Sequence, residues 1–204
     1  MSRARLLAAL AGFGVLGAAL RWRRNPSACP YNQRFWIEAP HPLITRGRLR
    51  EILAPEPGER LLEVGPGTGY YALPVAEWLQ PDGTLEVLDV QQEMLDHTIR
   101  RAQEGTLENV VSTQADARAM PYEDGRFDGA YLITVLGEIP DQGAAVRELH
   151  RVVKTGGRVV VGELFGDPHW VSPRALRRRA EAAGLRFERQ LGTPLGYFAR
   201  YARE

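Results

Sequence analysis

The chain has 204 residues, enough for one domain with a sizeable core and a short N-terminal addition. Its formal net charge of +1 gives no electrostatic reason to expect nucleic acid or an acidic partner. The single cysteine, Cys29, excludes an intramolecular disulfide and a multi-cysteine metal cluster, and no metal is expected.

Residues 6–20 are uninterrupted apolar or glycine, with Arg3 and Arg5 before them and Arg21, Arg23 and Arg24 after. As a helix the run is ~22 Å long, and about 28 Å if the flanking arginines snorkel outward. This predicts a hydrophobic N-terminal helix within residues 1–24 that anchors the chain in a membrane, spanning it or half-inserted. Packing on the domain or on a second copy is the alternative. A cleaved signal peptide should end in small residues, whereas this run ends in arginines. Gly12-Phe13-Gly14-Val15-Leu16-Gly17 fits Gly-x-Gly-x-x-Gly, yet no strand pattern precedes it, so it reads as small residues on an apolar helix. Residues 25–42 carry Pro26, Pro30, Phe35, Trp36, Pro40 and Pro42, a composition that suits a linker or lid draped over the domain.

Residues 43–53 have a helical pattern, and the proline-rich turn at 55–59 leads into a first strand. Leu61-Leu62-Glu63-Val64-Gly65-Pro66-Gly67-Thr68-Gly69 then joins an apolar strand to a helical pattern through three alternate glycines. This is a nucleotide-binding strand-loop-helix. Glycines let the main chain lie against a ligand, and the Glu63 carboxylate favours a ligand with positive charge. A helix follows over 70–80, with Pro74 in its first turn or kinking it. The second strand, 84–90, carries Asp89 about 20 residues beyond the last glycine, the distance at which an acid reaches ribose hydroxyls. A helix over 92–102 has Met94, Leu95, Thr98 and Ile99 on its inner face, and a third strand, 109–116, ends in Asp116. The fourth, 127–136, is nearly all apolar, as a central parallel strand should be. A helix over 141–153 is capped by Lys154-Thr155-Gly156-Gly157 before strand five, 158–162. A last helix, 173–183, precedes two strands, 185–191 and 197–203, joined through 192–196.

The stretch around Glu63 resembles motif I of the class I S-adenosylmethionine (SAM) dependent methyltransferases, in which glycines recur at every second place. A dinucleotide fold more often shows Gly-x-Gly-x-x-Gly. The resemblance covers about residue 43 to the C-terminus and implies an α/β, Rossmann-like doubly wound domain over 43–204. Its seven-stranded sheet would be mostly parallel with an antiparallel C-terminal strand. SAM is the implied cofactor, its methionine end on Gly65, Pro66, Gly67 and Gly69 with Glu63 near the amino group. Asp89, Val90 and Met94 are implied at the ribose side, Asp116 and Ala117 at adenine, and Ile133 near the methyl group.

Transfer would go to a small acceptor. The Asn-Pro-Pro-Tyr type of signature of base-amine methylases is absent, which argues against nucleic acid. No catalytic base stands out: Glu138 and His169 follow strands four and five and His41 lies in the lid segment, while His97 reads as solvent-facing and His150 as structural. Only residues 163–172 separate strand five from the last helix, so the pocket should be shallow unless residues 25–42, a second subunit or a membrane covers it. With the apolar N-terminus, this favours a hydrophobic or lipid-borne acceptor and a membrane-associated enzyme whose catalytic domain is cytoplasmic. The oligomeric state is left open. Two other readings stay available: a nicotinamide-dependent oxidoreductase, disfavoured by the glycine spacing, Glu63 and Asp116, and a membrane-tethered binding protein without turnover.

Overall fold

The computed structural model describes residues 26–33 and 41–204; the helix expected within residues 1–24 lies outside them. The first regular helix, α1 (Arg46–Leu53), starts where the Thr45 side chain accepts the Arg48 N–H at 3.3 Å. It buries Leu49, Ile52 and Leu53 and stops at Ala54, which adopts a left-handed conformation. Strand β1 (Arg60–Val64) leads through the glycine loop to α2 (Ala72–Trp78). Pro74 falls in the first turn of α2, where its missing N–H costs no hydrogen bond. Next come β2 (Thr84–Asp89), α3 (Gln92–Glu104), β3 (Val110–Gln114) and β4 (Phe127–Ile133). The chain continues through α4 (Gln142–Val152), β5 (Val153–Leu164), α5 (Pro173–Ala182), β6 (Leu185–Thr193) and β7 (Gly196–Arg203).

These strands form one seven-stranded sheet in the order β3-β2-β1-β4-β5-β7-β6. Strands β1 to β5 pair in parallel, and β7 runs antiparallel to both β5 and β6, as expected for the last strand. Helices α4 and α5 bury Val146, Leu149, Leu176 and Ala180 on one face; α1, α2 and α3 bury Leu53, Val75 and Leu95 on the other. Crossovers leave β1 toward β2 on one side and reach β4 on the other, so a crevice opens at the carboxyl ends of these two strands.

Several expected boundaries shift. The third strand stops at Gln114, which leaves Asp116 in the turn beyond it. Residues Lys154 to Gly157 do not cap α4, because β5 begins directly at Val153. The ladder with β4 absorbs them as an irregularity between the Phe127 to Val153 and Gly129 to Arg158 pairs. Strand β4 ends at Ile133 rather than 136, since Thr134 turns to a φ of 57° and sends the chain into a 3₁₀ turn, Leu136–Glu138. The last hairpin is tighter than 192–196, leaving only Pro194 and Leu195 between the strands. Among the described residues no helix is long and apolar enough to cross a membrane.

Candidate active site

The loop after β1 is held by three hydrogen bonds, one to β2 and two from α3. The Gly65 N–H bonds the Leu88 carbonyl at 2.8 Å, Thr98 Oγ1 donates to the Gly67 carbonyl at 3.0 Å, and Arg101 donates to the Thr68 carbonyl at 2.6 Å. Gly65 sits at φ 71°, and a Cβ there would come within 2.4 Å of Val135 Cγ2. Loop and β4 terminus thus touch where only a bare backbone fits. Beside them lies a cavity of about 660 Å³, well within the range of small-molecule sites.

The cavity is lined by Gly65, Gly67, Asp89, Val90 and Met94, and further by Asp116, Ala117 and Ile133. Three expected cofactor residues are not in its wall. Glu63 is 2% exposed and lies behind it, accepting a hydrogen bond from Tyr131 Oη at 2.9 Å. Burial pushes the Glu63 carboxyl up to about 8, against that bond. Pro66 is buried beneath the loop, and Gly69 serves packing: a Cβ on it would meet Thr98 Cγ2 at 3.2 Å. These three residues, expected at the cofactor, lie outside the cavity wall in this structure.

Asp89 lines the cavity at the end of β2, with Oδ1 accepting the Gln91 N–H at 2.9 Å. Burial raises it to about 6 while the N–H groups of Gln91 and Val90 pull it back. Asp116 is held below its ordinary range by Arg118, whose guanidinium grips both carboxylate oxygens at 2.6 to 3.0 Å. All three catalytic candidates line the same cavity. Glu138, from the 3₁₀ turn, is pushed up to about 8 by burial and then by Asp167, against a hydrogen bond from the Cys29 N–H at 3.2 Å. His41 is lowered by burial and packs on Tyr70 and Tyr71; its Nδ1 has no hydrogen-bond partner among the described residues. His169 is 7% exposed, and its N–H donates to Asp167 Oδ1 at 2.7 Å. His97, expected to face solvent, is half-exposed on α3, with Tyr31 Oη 3.2 Å from its Nδ1.

The cavity is deeper than expected because residues 26–29 form one side. Gln91 Nε2 donates to the Cys29 carbonyl at 2.9 Å, and the Cys29 N–H donates to Glu138 at 3.2 Å, so this segment bridges the chain ends that follow β2 and β4. The sequence signals missed Cys29, Gln91 and Asp167 as wall residues; Cys29 and Glu138 are 109 positions apart, and neither belongs to a motif. Burial raises Asp167, and burial, Glu138 and Asp167 together push the Cys29 thiol up to about 11, which keeps it protonated. Among the described residues no group of three or more His, Cys, Asp or Glu side chains is placed to hold a metal ion.

SAM fits what these residues offer. Asp89, Asp116, Glu138 and Asp167 put carboxyl groups around a ligand that carries a sulfonium and an ammonium, and Gly65 and Gly67 admit it against bare backbone. Fold and site together define a class I SAM-dependent methyltransferase, and SAM is its cofactor. The chain belongs to the ubiE/COQ5 methyltransferase family, whose model matches residues 40–169. That membership decides against the nicotinamide-dependent reading. A curated relative from Staphylococcus aureus, a demethylmenaquinone methyltransferase, is 30% identical over 57% of this chain and 48% of its own length. The chain thus spans about half the length of the curated relatives it matches. A SAM-dependent methyltransferase from Aquifex aeolicus superposes with a TM-score of 0.80 at 18% identity, covering 87% of this chain and all of that one. Geranyl diphosphate C-methyltransferase from Streptomyces coelicolor, solved with S-adenosyl-L-homocysteine, gives 0.66 at 14%, covering 78% and 79%. At these identities the structures establish the fold alone.

Proposed function

We propose that the protein transfers a methyl group from SAM to a small, apolar acceptor with an ionisable O–H or C–H, of which a lipid-borne quinol ring is the best match. One observation carries this reading: Glu138, a half-buried carboxyl pushed up to about 8, shares the cavity wall with the glycine loop and with apolar Ala28, Ile139, Pro140 and Leu164. A group with that affinity for a proton near neutral pH is matched to general-base work. The demethylmenaquinone methyltransferase activity of the Staphylococcus relatives points to the same acceptor class.

Bound SAM supplies an electrophilic methyl carbon and a good leaving group. The chain's own residues align the partners. Gly65 and Gly67 admit close approach of the backbone, and Asp89 accepts from the ribose hydroxyls with charge-assisted hydrogen bonds. Glu138 takes the proton that the acceptor releases as its oxygen or carbon forms the new bond to methyl. Residues 26–29 cover the reacting centre and keep water out. The apolar run at residues 6–20 would hold the enzyme on the membrane that carries such an acceptor, with the catalytic domain on the cytoplasmic side.

The test is transfer of labelled methyl from SAM to a demethylated naphthoquinol with a short prenyl tail, by the full chain and by Glu138→Gln. Labelled product from the wild type and at least a tenfold slower rate from the variant would agree with the proposal. S-adenosylhomocysteine binding with no transfer to any quinol or phenol would favour a binding protein without turnover.

A further inference from the structure

Most arginines of the described chain are committed. Arg151 pairs with Glu148 and Asp124, Arg126 with Glu86 and Arg200 with Glu188. Arg158 pairs with Glu59 at 2.5 Å and also donates to the Leu53 and Ala54 carbonyls. A cleft of about 190 Å³ between α4 and α5 departs from this pattern, being lined by Arg147, Arg178 and Arg179 with Gly143, Ala182 and Ala183. Neither Arg147 nor Arg178 makes an ion pair or a hydrogen bond among the described residues. Arg179 donates Nη1 to the Ala175 carbonyl at 2.9 Å, which fixes its guanidinium and leaves further N–H groups to spare. The nearby carboxylate, Asp141, caps α4 by accepting the Ala144 N–H at 2.9 Å and makes no ion pair with Arg147.

Arg147, Arg178 and Arg179 line one concavity together, with Asp141 Oδ1 at its edge beside Gly143, where a Cβ would meet it at 3.3 Å and Arg147 Nη1 at 3.2 Å. Small residues at 143, 182 and 183 leave the space between the guanidiniums open, about six water volumes in all. The planar N–H fork of arginine matches tetrahedral oxyanions with paired hydrogen bonds. We infer that the cleft between α4 and α5 binds a phosphoryl group. Gly143 and Arg147 lie on the first turns of α4, just after Ile139 and Pro140 of the cavity wall, so the two sites are neighbours with separate residues. The group can belong to a soluble phosphate or diphosphate ester or to the headgroup of an anionic lipid; both present the same chemistry to the arginines.

The test uses the full chain at low ionic strength, where such contacts are strongest. It is titrated calorimetrically with inorganic phosphate and with diphosphate, and separately floated with vesicles of phosphatidylcholine alone or with phosphatidylglycerol. The double variant Arg147→Gln/Arg178→Gln is measured alongside, with S-adenosylhomocysteine affinity and circular dichroism as controls for the fold. The expected result is binding of phosphate or diphosphate, or a phosphatidylglycerol-dependent increase in flotation, weakened at least tenfold in the variant with S-adenosylhomocysteine affinity unchanged. Binding of the soluble anions identifies a phosphoryl ligand in solution; enhancement by phosphatidylglycerol alone identifies a headgroup. No binding to any of these probes, or equal binding by wild type and variant, would overturn the inference. Because methyl transfer is not a readout, failure here leaves the proposed reaction standing, and failure of that reaction leaves this site standing.

Discussion

Three carboxyls, the buried Glu63 and Glu163 and the half-buried Glu138, share one cause and different consequences. Each is pushed up to about 8, with burial as the largest influence, and each lies near the carboxyl edge of the sheet. Glu163 is 1% exposed; its Oε2 accepts the Val171 N–H at 3.0 Å and its Oε1 has no hydrogen-bond partner among the described residues. Its folded value lies above the ordinary 4.5, so the folded protein holds a proton that the unfolded chain has lost. Stability is therefore fullest below about 4.5 and falls as pH rises toward about 8. Glu163→Gln should remove this loss, keeping an acceptor for Val171, and its melting temperature should exceed wild type at pH 9 while nearly matching it at pH 5. For Glu138 the same displacement predicts activity that rises as pH passes through about 8, where the base form accumulates. A rate independent of pH between 6 and 9 in wild type and Glu138→Gln alike would count against the base assignment. Asp89→Ala should weaken S-adenosylhomocysteine binding by about 1.5 to 3 kcal/mol in calorimetry, the worth of a hydrogen bond to a charged group.

Elements were legible in proportion to how local their causes are. The alternate glycines, the acids at strand ends and the all-apolar β4 are signals within a few residues, and each predicted its element. Boundaries set by contact with distant chain were not legible. Strand β4 ends at Thr134, whose N–H bonds the Gly162 carbonyl at 2.8 Å across the sheet, and nothing in Ile133-Thr134-Val135 announces that turn. The roles within the loop were equally hidden, because whether Gly69 faces a ligand or a neighbouring helix depends on where Thr98 comes to rest. One substitution tests the loop junction: Gly65→Ala should weaken cofactor binding by steric conflict with Val135, and Val135→Ala should restore part of it. The φ of 71° at Gly65 limits that rescue, since removing the methyl groups does not relieve backbone strain.

At the scale of the molecule, the sheet delivers acids and glycines from β1, β2 and β4 to one edge, an outcome that topology guarantees once the strand order is set. The N-terminal side of the cavity had no such guarantee, since no periodicity says where a proline-rich segment will lie. If residues 6–20 anchor the protein, the full chain should float with neutral phosphatidylcholine vesicles, and Leu16→Asp should abolish this without changing S-adenosylhomocysteine affinity. Flotation that survives Leu16→Asp would place membrane attachment elsewhere. One contact bears on how ligands come and go: a Cβ at Gly137 would stand 1.7 Å from the His169 carbonyl oxygen, so the segments following β4 and β5 meet backbone to backbone. Such a joint has no side chain to swing aside, and those two segments form a single fixed jamb. Residues 26–29 line the cavity opposite that joint and are tied to the domain by two hydrogen bonds, Gln91 Nε2 to the Cys29 carbonyl and the Cys29 N–H to Glu138.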